Sequence, residues 1–120
     1  MWRTSGKNPY EWGDFTFNSI DIRFLKNKCV YIYGAGNWGR QTLSVLSKKR
    51  IPVKSFVVSE MDDNQPSIKG VPIKVLDDVK FEKNAFCVIA VYSKEARKEI
   101  QKGLIDKGIK NFVVLNRYPG

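Results

Sequence analysis

The residues best suited to chemistry lie between positions 34 and 40. Gly34-Ala35-Gly36-Asn37-Trp38-Gly39 forms a G-x-G-x-x-G pattern, and Arg40 follows it. Glycines at this spacing suit a loop between a buried strand and a helix. The first permits a tight turn, the second lets backbone approach a phosphate, and the third allows close packing of helix on strand. The chemistry is anion binding. Backbone N–H groups of Gly36, Asn37 and Trp38 point at a phosphate near a helix N-terminus, where the helix dipole also favours negative charge. Asn37 reads equally as a helix cap. Trp38 is either a stacking surface for a base or sugar, or ordinary packing. Arg40 is either a phosphate ligand or a solvent-facing cation.

A dinucleotide-type site also uses a carboxylate about 20 residues beyond the glycines to hold ribose hydroxyls. Ser59-Glu60 occupies that place, with Asp62 and Asp63 just after. Glu60 is the ribose candidate, and an ordinary loop carboxylate is the alternative. Tyr92-Ser93, with Lys94, follows another apolar run and is expected on the same edge; Ser93 also fits a helix N-cap. The chain has no histidine, which excludes His-based acid–base chemistry, catalytic triads and zinc sites with His ligands. Cys29 and Cys87 stand at the starts of two apolar runs. They read as reduced core thiols, close together if those runs are neighbouring strands. No Tyr-x-x-x-Lys pair, paired carboxylates or activated cysteine is visible. The residues describe a binding module without catalysis of its own.

The elements that must hold these residues alternate strand with helix. Cys29 to Tyr33 is a continuous β-branched and aromatic run, as expected of a strand buried on both faces. Asn37 to Lys49 reads as a helix ended by Ile51-Pro52, and Val53 to Val58 as a second strand. Ser59 to Gly70 is a polar loop, Val71 to Val75 a third strand, and Leu76 to Lys83 a brief helix. Phe86 to Val91 is a fourth strand. Ser93 caps an amphipathic helix to Lys107 with Ala96, Ile100 and Leu104 on one stripe, and Gly108 ends it. Asn111 to Leu115 is a fifth strand. Such alternation implies parallel crossovers. The expected fold is a single Rossmann-like three-layer α/β domain, with a mainly parallel sheet of about five strands. It spans residues 19–117 and opens on a short helix, Ser19 to Lys26. An aromatic-rich flexible arm, residues 1–18, precedes it, and a tail, residues 118–120, follows.

With 120 residues, one domain is the natural expectation. The net charge of +9, from 21 Lys and Arg against 12 Asp and Glu, favours anionic partners. The cations are dispersed, however. Lys94, Arg97, Lys98, Lys102 and Lys107 interleave with Glu95, Glu99 and Asp106, as on a solvated helix face, so nucleic acid is not the expected partner. No apolar stretch approaches the roughly 20 residues of a membrane span. Met1 to Asp14 lacks the apolar centre of a secretory signal, so a cytoplasmic protein is expected.

The order of these features resembles a known family. Tyr31-Ile32-Tyr33-Gly34-Ala35-Gly36-Asn37-Trp38-Gly39-Arg40 is followed by Phe56-Val57-Val58-Ser59, then Ile68-Lys69-Gly70-Val71-Pro72-Ile73, then Val88-Ile89-Ala90-Val91. The helix ending in Gly108-Ile109 and Phe112-Val113 complete the series. This arrangement is similar to the N-terminal domain of bacterial sugar O- and N-acyltransferases of the sialic-acid and bacillosamine type, over about Lys28 to Leu115. Related modules accompany other polysaccharide-synthesis enzymes. The resemblance implies a UDP-sugar or related nucleotide at the glycine loop, in surface-glycan synthesis. It also implies a transferase domain as a fused or separate partner. The hexapeptide repeats that carry acyl transfer are absent from this sequence, so that activity does not carry over. A scaffolding domain with a merely structural glycine loop is the alternative function, and an NAD-dependent oxidoreductase is a third.

Overall fold

The computed structural model describes residue 25 and residues 27–61, 65–115 and 118. The aromatic arm, nearly all of the expected first helix, and Asp62 and Asp63 lie outside the described residues.

The elements run β1 (Cys29–Tyr33), α1 (Asn37–Lys48), β2 (Val53–Val58), β3 (Ser67–Ile68), β4 (Val71–Val75), a single 3₁₀ turn (Leu76–Asp78), β5 (Ala85–Ile89), α2 (Lys94–Asp106) and β6 (Phe112–Val114). They build an α/β fold with two helices and one six-stranded, mostly parallel mixed sheet in the order β3-β4-β2-β1-β5-β6. Strand β1 is central. It pairs in parallel with β2 on one side and β5 on the other. Taken in chain order, the five parallel strands lie 3-2-1-4-5, so the direction of winding reverses between β1 and β5.

The strands are apolar on both faces because both faces are covered. Alternate residues of β1 enter different cores. Val30 and Ile32 join Leu43 and Leu46 of α1, Phe56 of β2 and Val88 of β5. Tyr31 and Tyr33 join Ile100 and Leu104 of α2, Cys87 of β5 and Phe112 of β6. The strict two-residue period of a strand sorts one sequence into two cores. Both cysteines are free. They sit on adjacent strands as expected, yet Cys29 is level with Ala85, and Cys87 with Tyr31.

Two expectations are corrected. The polar loop after β2 is not wholly irregular: Ser67–Ile68 forms β3, antiparallel to β4. The turn is Lys69-Gly70, with φ of 50° and 84°, the pair of positive φ values that a tight two-residue hairpin requires. A two-residue strand is too short to show a period, so the turn dipeptide was its only signal. The brief helix over Leu76 to Lys83 is only the 3₁₀ turn Leu76–Asp78. It stops where Val79 adopts an extended conformation (φ −90°, ψ 128°) and buries its side chain in the second core.

Burial also sets the acidity of Tyr31, whose hydroxyl accepts a hydrogen bond from the Glu82 backbone N–H at 3.3 Å. Desolvation, reinforced by the neighbouring Cys29, pushes its phenol up to about 12. The folded state thus holds this proton more tightly than the unfolded chain, where the value is 10.0. Its contribution to stability is complete below pH 10 and is lost as the pH rises through 12. In urea titrations between pH 9 and 12, Tyr31→Phe is expected to fall less steeply in stability than the native chain; equal slopes would refute the assignment. Leu46, wholly buried on α1, is expected to cost about 2–5 kcal/mol on truncation to alanine, read from the same midpoints.

Candidate functional site

The glycine loop leaves the C-terminal end of β1 and enters α1 almost at once. Gly34 is the sharp corner. Its φ is +114°, a region L side chains rarely adopt, and a Cβ there would come within 2.6 Å of the Ala90 carbonyl oxygen. A Cβ on Gly39 would overlap the carbonyl oxygen of Gly34. The first turn of α1 therefore lies directly on the end of β1. Gly36 differs, because a Cβ there meets nothing within 4 Å. Two glycines are demanded by packing and the middle one faces open space.

The expected cap is corrected. Gly36, not Asn37, is the N-cap of α1, and no side chain caps it. The Arg40 N–H donates to the Gly36 carbonyl at 2.9 Å, which closes the first turn. The N–H groups of Asn37, Trp38 and Gly39 precede that bond, in the positions a helix leaves unpaired. The Arg40 guanidinium turns back on the loop and donates from Nε to the Ala35 carbonyl at 3.4 Å. Ala35 itself is buried.

A cleft of about 500 Å³ opens where the winding reverses. Gly34, Gly36, Asn37 and Trp38 line it from the β1 side, and Ala90, Val91 and Tyr92 from the β5 side. Tyr118 supplies a further wall. Its aromatic rings form one cluster. Trp38 meets Tyr92 edge-on at 5.9 Å between centroids, with an interplanar angle of 79°, and Tyr118 at 6.2 Å and 87°. Tyr92 is 78% exposed and Tyr118 54%.

Arg97 lies behind this cluster. It is 8% exposed, with its guanidinium carbon 5.2 Å from the centre of the Trp38 ring. Its Nε donates to the Val91 carbonyl at 2.8 Å and its Nη2 to the Tyr92 carbonyl at 2.9 Å. This corrects the expectation of a solvated Arg97. The planar fork of arginine satisfies two turn carbonyls and still stacks on an aromatic face, which lysine cannot do. The signal was present in the spacing: Arg97 precedes Ile100 by three residues and Leu104 by seven, so it shares their buried stripe.

The remaining candidates flank the cleft without lining it. Ser93 caps α2 by accepting from the Ala96 N–H at 3.2 Å. Ser59 and Glu60, both exposed, follow β2 on the other side of the glycine loop. The hydroxyls of Ser59 and Tyr33 are 2.8 Å apart, which ties that loop to the end of β1. Burial raises the Tyr33 phenol above its ordinary value, and the Ser59 hydrogen bond opposes the rise. Among the described residues, no group of three or more His, Cys, Asp or Glu side chains is arranged to hold a metal. No helix among them is long and apolar enough to cross a membrane.

Residues 25–115 match the family model described as C2185-like, N-terminal, and the chain belongs to that family. No curated protein and no solved structure matches it. The resemblance to the sialic-acid and bacillosamine acyltransferases is corrected by this match, because the stretch that carried it lies inside a different family. The features it rested on are a glycine turn, short apolar strands and a glycine-ended helix. Packing a helix on the end of a strand requires them whatever the chemistry, so they recur in unrelated α/β chains.

The geometry predicts a clear division among these residues. Gly39→Ala is expected to cost about 3 kcal/mol, the upper end for overpacking, measured by urea denaturation. Arg97→Met keeps the volume but strands two carbonyls. It is expected to cost about 1–3 kcal/mol and to shift the Trp38 indole resonance in NMR spectra.

Proposed function

We propose that this C2185-like N-terminal domain is a binding module for a nucleotide-type ligand, a nucleotide-sugar or dinucleotide being the leading candidates. The diphosphate rests on the first turn of α1. The wider reading of the fold is a Rossmann-like three-layer arrangement. Its support is the parallel strand order 3-2-1-4-5 and the separate cores that α1 and α2 share with alternate residues of β1. In open α/β sheets, ligands bind beyond the carboxyl ends of the strands where the winding reverses, and the cleft opens at that reversal.

One observation carries the reading. Of the three glycines, only Gly36 has free space where a side chain would be. Packing explains Gly34 and Gly39 and leaves Gly36 unexplained; a phosphate approaching the backbone explains it. The N–H groups of Asn37, Trp38 and Gly39 supply the donors, and the helix dipole and the net charge of +9 supply an attractive field for an anion. Ser59 and Glu60, the ribose candidates read from the sequence, follow β2 on the far side of the glycine loop from the cleft. The module recognises and holds its ligand, and no residue of the site is assigned a catalytic step.

The test is isothermal titration and amide NMR with UDP, a UDP-sugar, NAD and coenzyme A. At least one ligand is expected to shift the resonances of Gly34 to Arg40. Gly36→Val is expected to cut its affinity at least about ten-fold, while stability falls by no more than about 1 kcal/mol, the ordinary loss at an N-cap. Absence of any shift with all four ligands overturns the proposal.

A further inference from the structure

Building on that reading, we infer that the cleft holds the base of a nucleoside phosphate on the β5 side of the glycine loop. Trp38, Tyr92 and Tyr118 form the stacking surface. This goes beyond a diphosphate cradle. It names the end of the ligand that is recognised and the side of the sheet on which it lies.

A cleft of about 500 Å³ falls within the range of roughly 300–1,000 Å³ that suits small-molecule ligands. Its side walls are the rings of Tyr92 and Tyr118, both set nearly perpendicular to Trp38 and both largely open to solvent. An exposed aromatic pair converging on a third ring offers π-faces, which every nucleobase matches without sequence-like readout. A sugar ring is a poorer occupant. Each of its hydroxyls loses water on entry and needs a partner, and the cleft offers few polar side-chain atoms beyond Asn37 and the two phenols. A cationic ring is poorer still, since the Arg97 guanidinium already stacks on Trp38 and would repel it.

The wall has the support a recognition surface needs. Arg97 fixes the carbonyls of Val91 and Tyr92 at 2.8 and 2.9 Å and stacks on Trp38, so one buried side chain locks the β5–α2 turn to the start of α1. The Trp38 ring and the Tyr92 backbone are thus held in place by Arg97. On the opposite side of the loop, after β2, the described residues offer Ser59 and Glu60 rather than an aromatic surface. A base on the β5 side leaves Glu60 with no part in holding a mononucleotide.

Titration of the full chain with UDP, ADP and inorganic pyrophosphate decides the matter, using the native protein and the Tyr92→Ala, Tyr118→Ala and Glu60→Gln variants. At least one nucleoside diphosphate is expected to bind about ten-fold or more tightly than pyrophosphate. Tyr92→Ala or Tyr118→Ala is expected to remove that advantage and leave pyrophosphate binding unchanged. Glu60→Gln is expected to change neither, and the Trp38 indole resonance is expected to move with the nucleotide alone. Equal affinity for pyrophosphate and the nucleotides overturns the base assignment while the phosphate cradle survives. So does a larger loss with Glu60→Gln than with either tyrosine variant. If pyrophosphate and both nucleotides leave Gly34 to Arg40 unperturbed, the base assignment and the cradle fall together.

Discussion

Among the described glycines, the tightest approach is the contact between the first turn of α1 and the end of β1. The carbonyl of Gly34 fills the space where a side chain on residue 39 would stand, and the carbonyl of Ala90 crowds residue 34 in turn. Three segments thus meet with no room for a Cβ: the end of β1, the start of α1 and the end of β5. Because peptide groups are rigid and their packing is hard, this contact fixes the direction of α1 more tightly than apolar side chains alone would. The first residues of α1 line the crevice between β1 and β5. The other properties of the site follow from that placement.

A second constraint acts from the other side of the crevice. A buried guanidinium is expensive unless its donors are matched, and Arg97 is matched by backbone rather than by a carboxylate. Two turn carbonyls and one aromatic face take the place of an ion pair. Among the described residues no carboxylate pairs with Arg97, so its positive charge adds to the field at this end of the sheet. Packing and electrostatics therefore reinforce one another at this end of the sheet, where the backbone donors of α1 already favour negative charge.

Much of the fold was legible in the sequence because long apolar runs and amphipathic stripes encode it directly. The run from Cys29 to Tyr33 and that from Val53 to Val58 match their strands residue for residue, and Ser93 is the cap its position implied. What was missed was short or context-dependent. The strand Ser67–Ile68 has too few residues to show a period. The segment after Leu76 had the acidic first turn of a helix, yet burial of Val79 draws the chain into an extended path. Within the site, the glycine spacing disclosed the loop, but Arg97 was hidden by its type. A charged residue is read as solvated unless its place on the stripe is weighed above its charge. Tyr118, in a short tail by sequence, gains its place only through contacts distant in the chain, and local pattern cannot encode these. The family resemblance erred for the converse reason: it rested on features that packing alone demands.

The hairpin of β3 and β4 bears on how this chain behaves among copies of itself. A parallel sheet that stopped at β4 would present a free row of peptide groups, ready to pair with any extended chain in a crowded solution. Here β3 covers the first part of that row, the Pro66 carbonyl takes the N–H of Ile73 at 2.9 Å, and Pro72 has no N–H to offer. The new border is only two residues long and is flanked by proline. For a chain with a largely apolar sheet, that limits edge-to-edge pairing at this border. It lies at the opposite border from β6 and away from the crevice, so this border and the crevice can be altered independently.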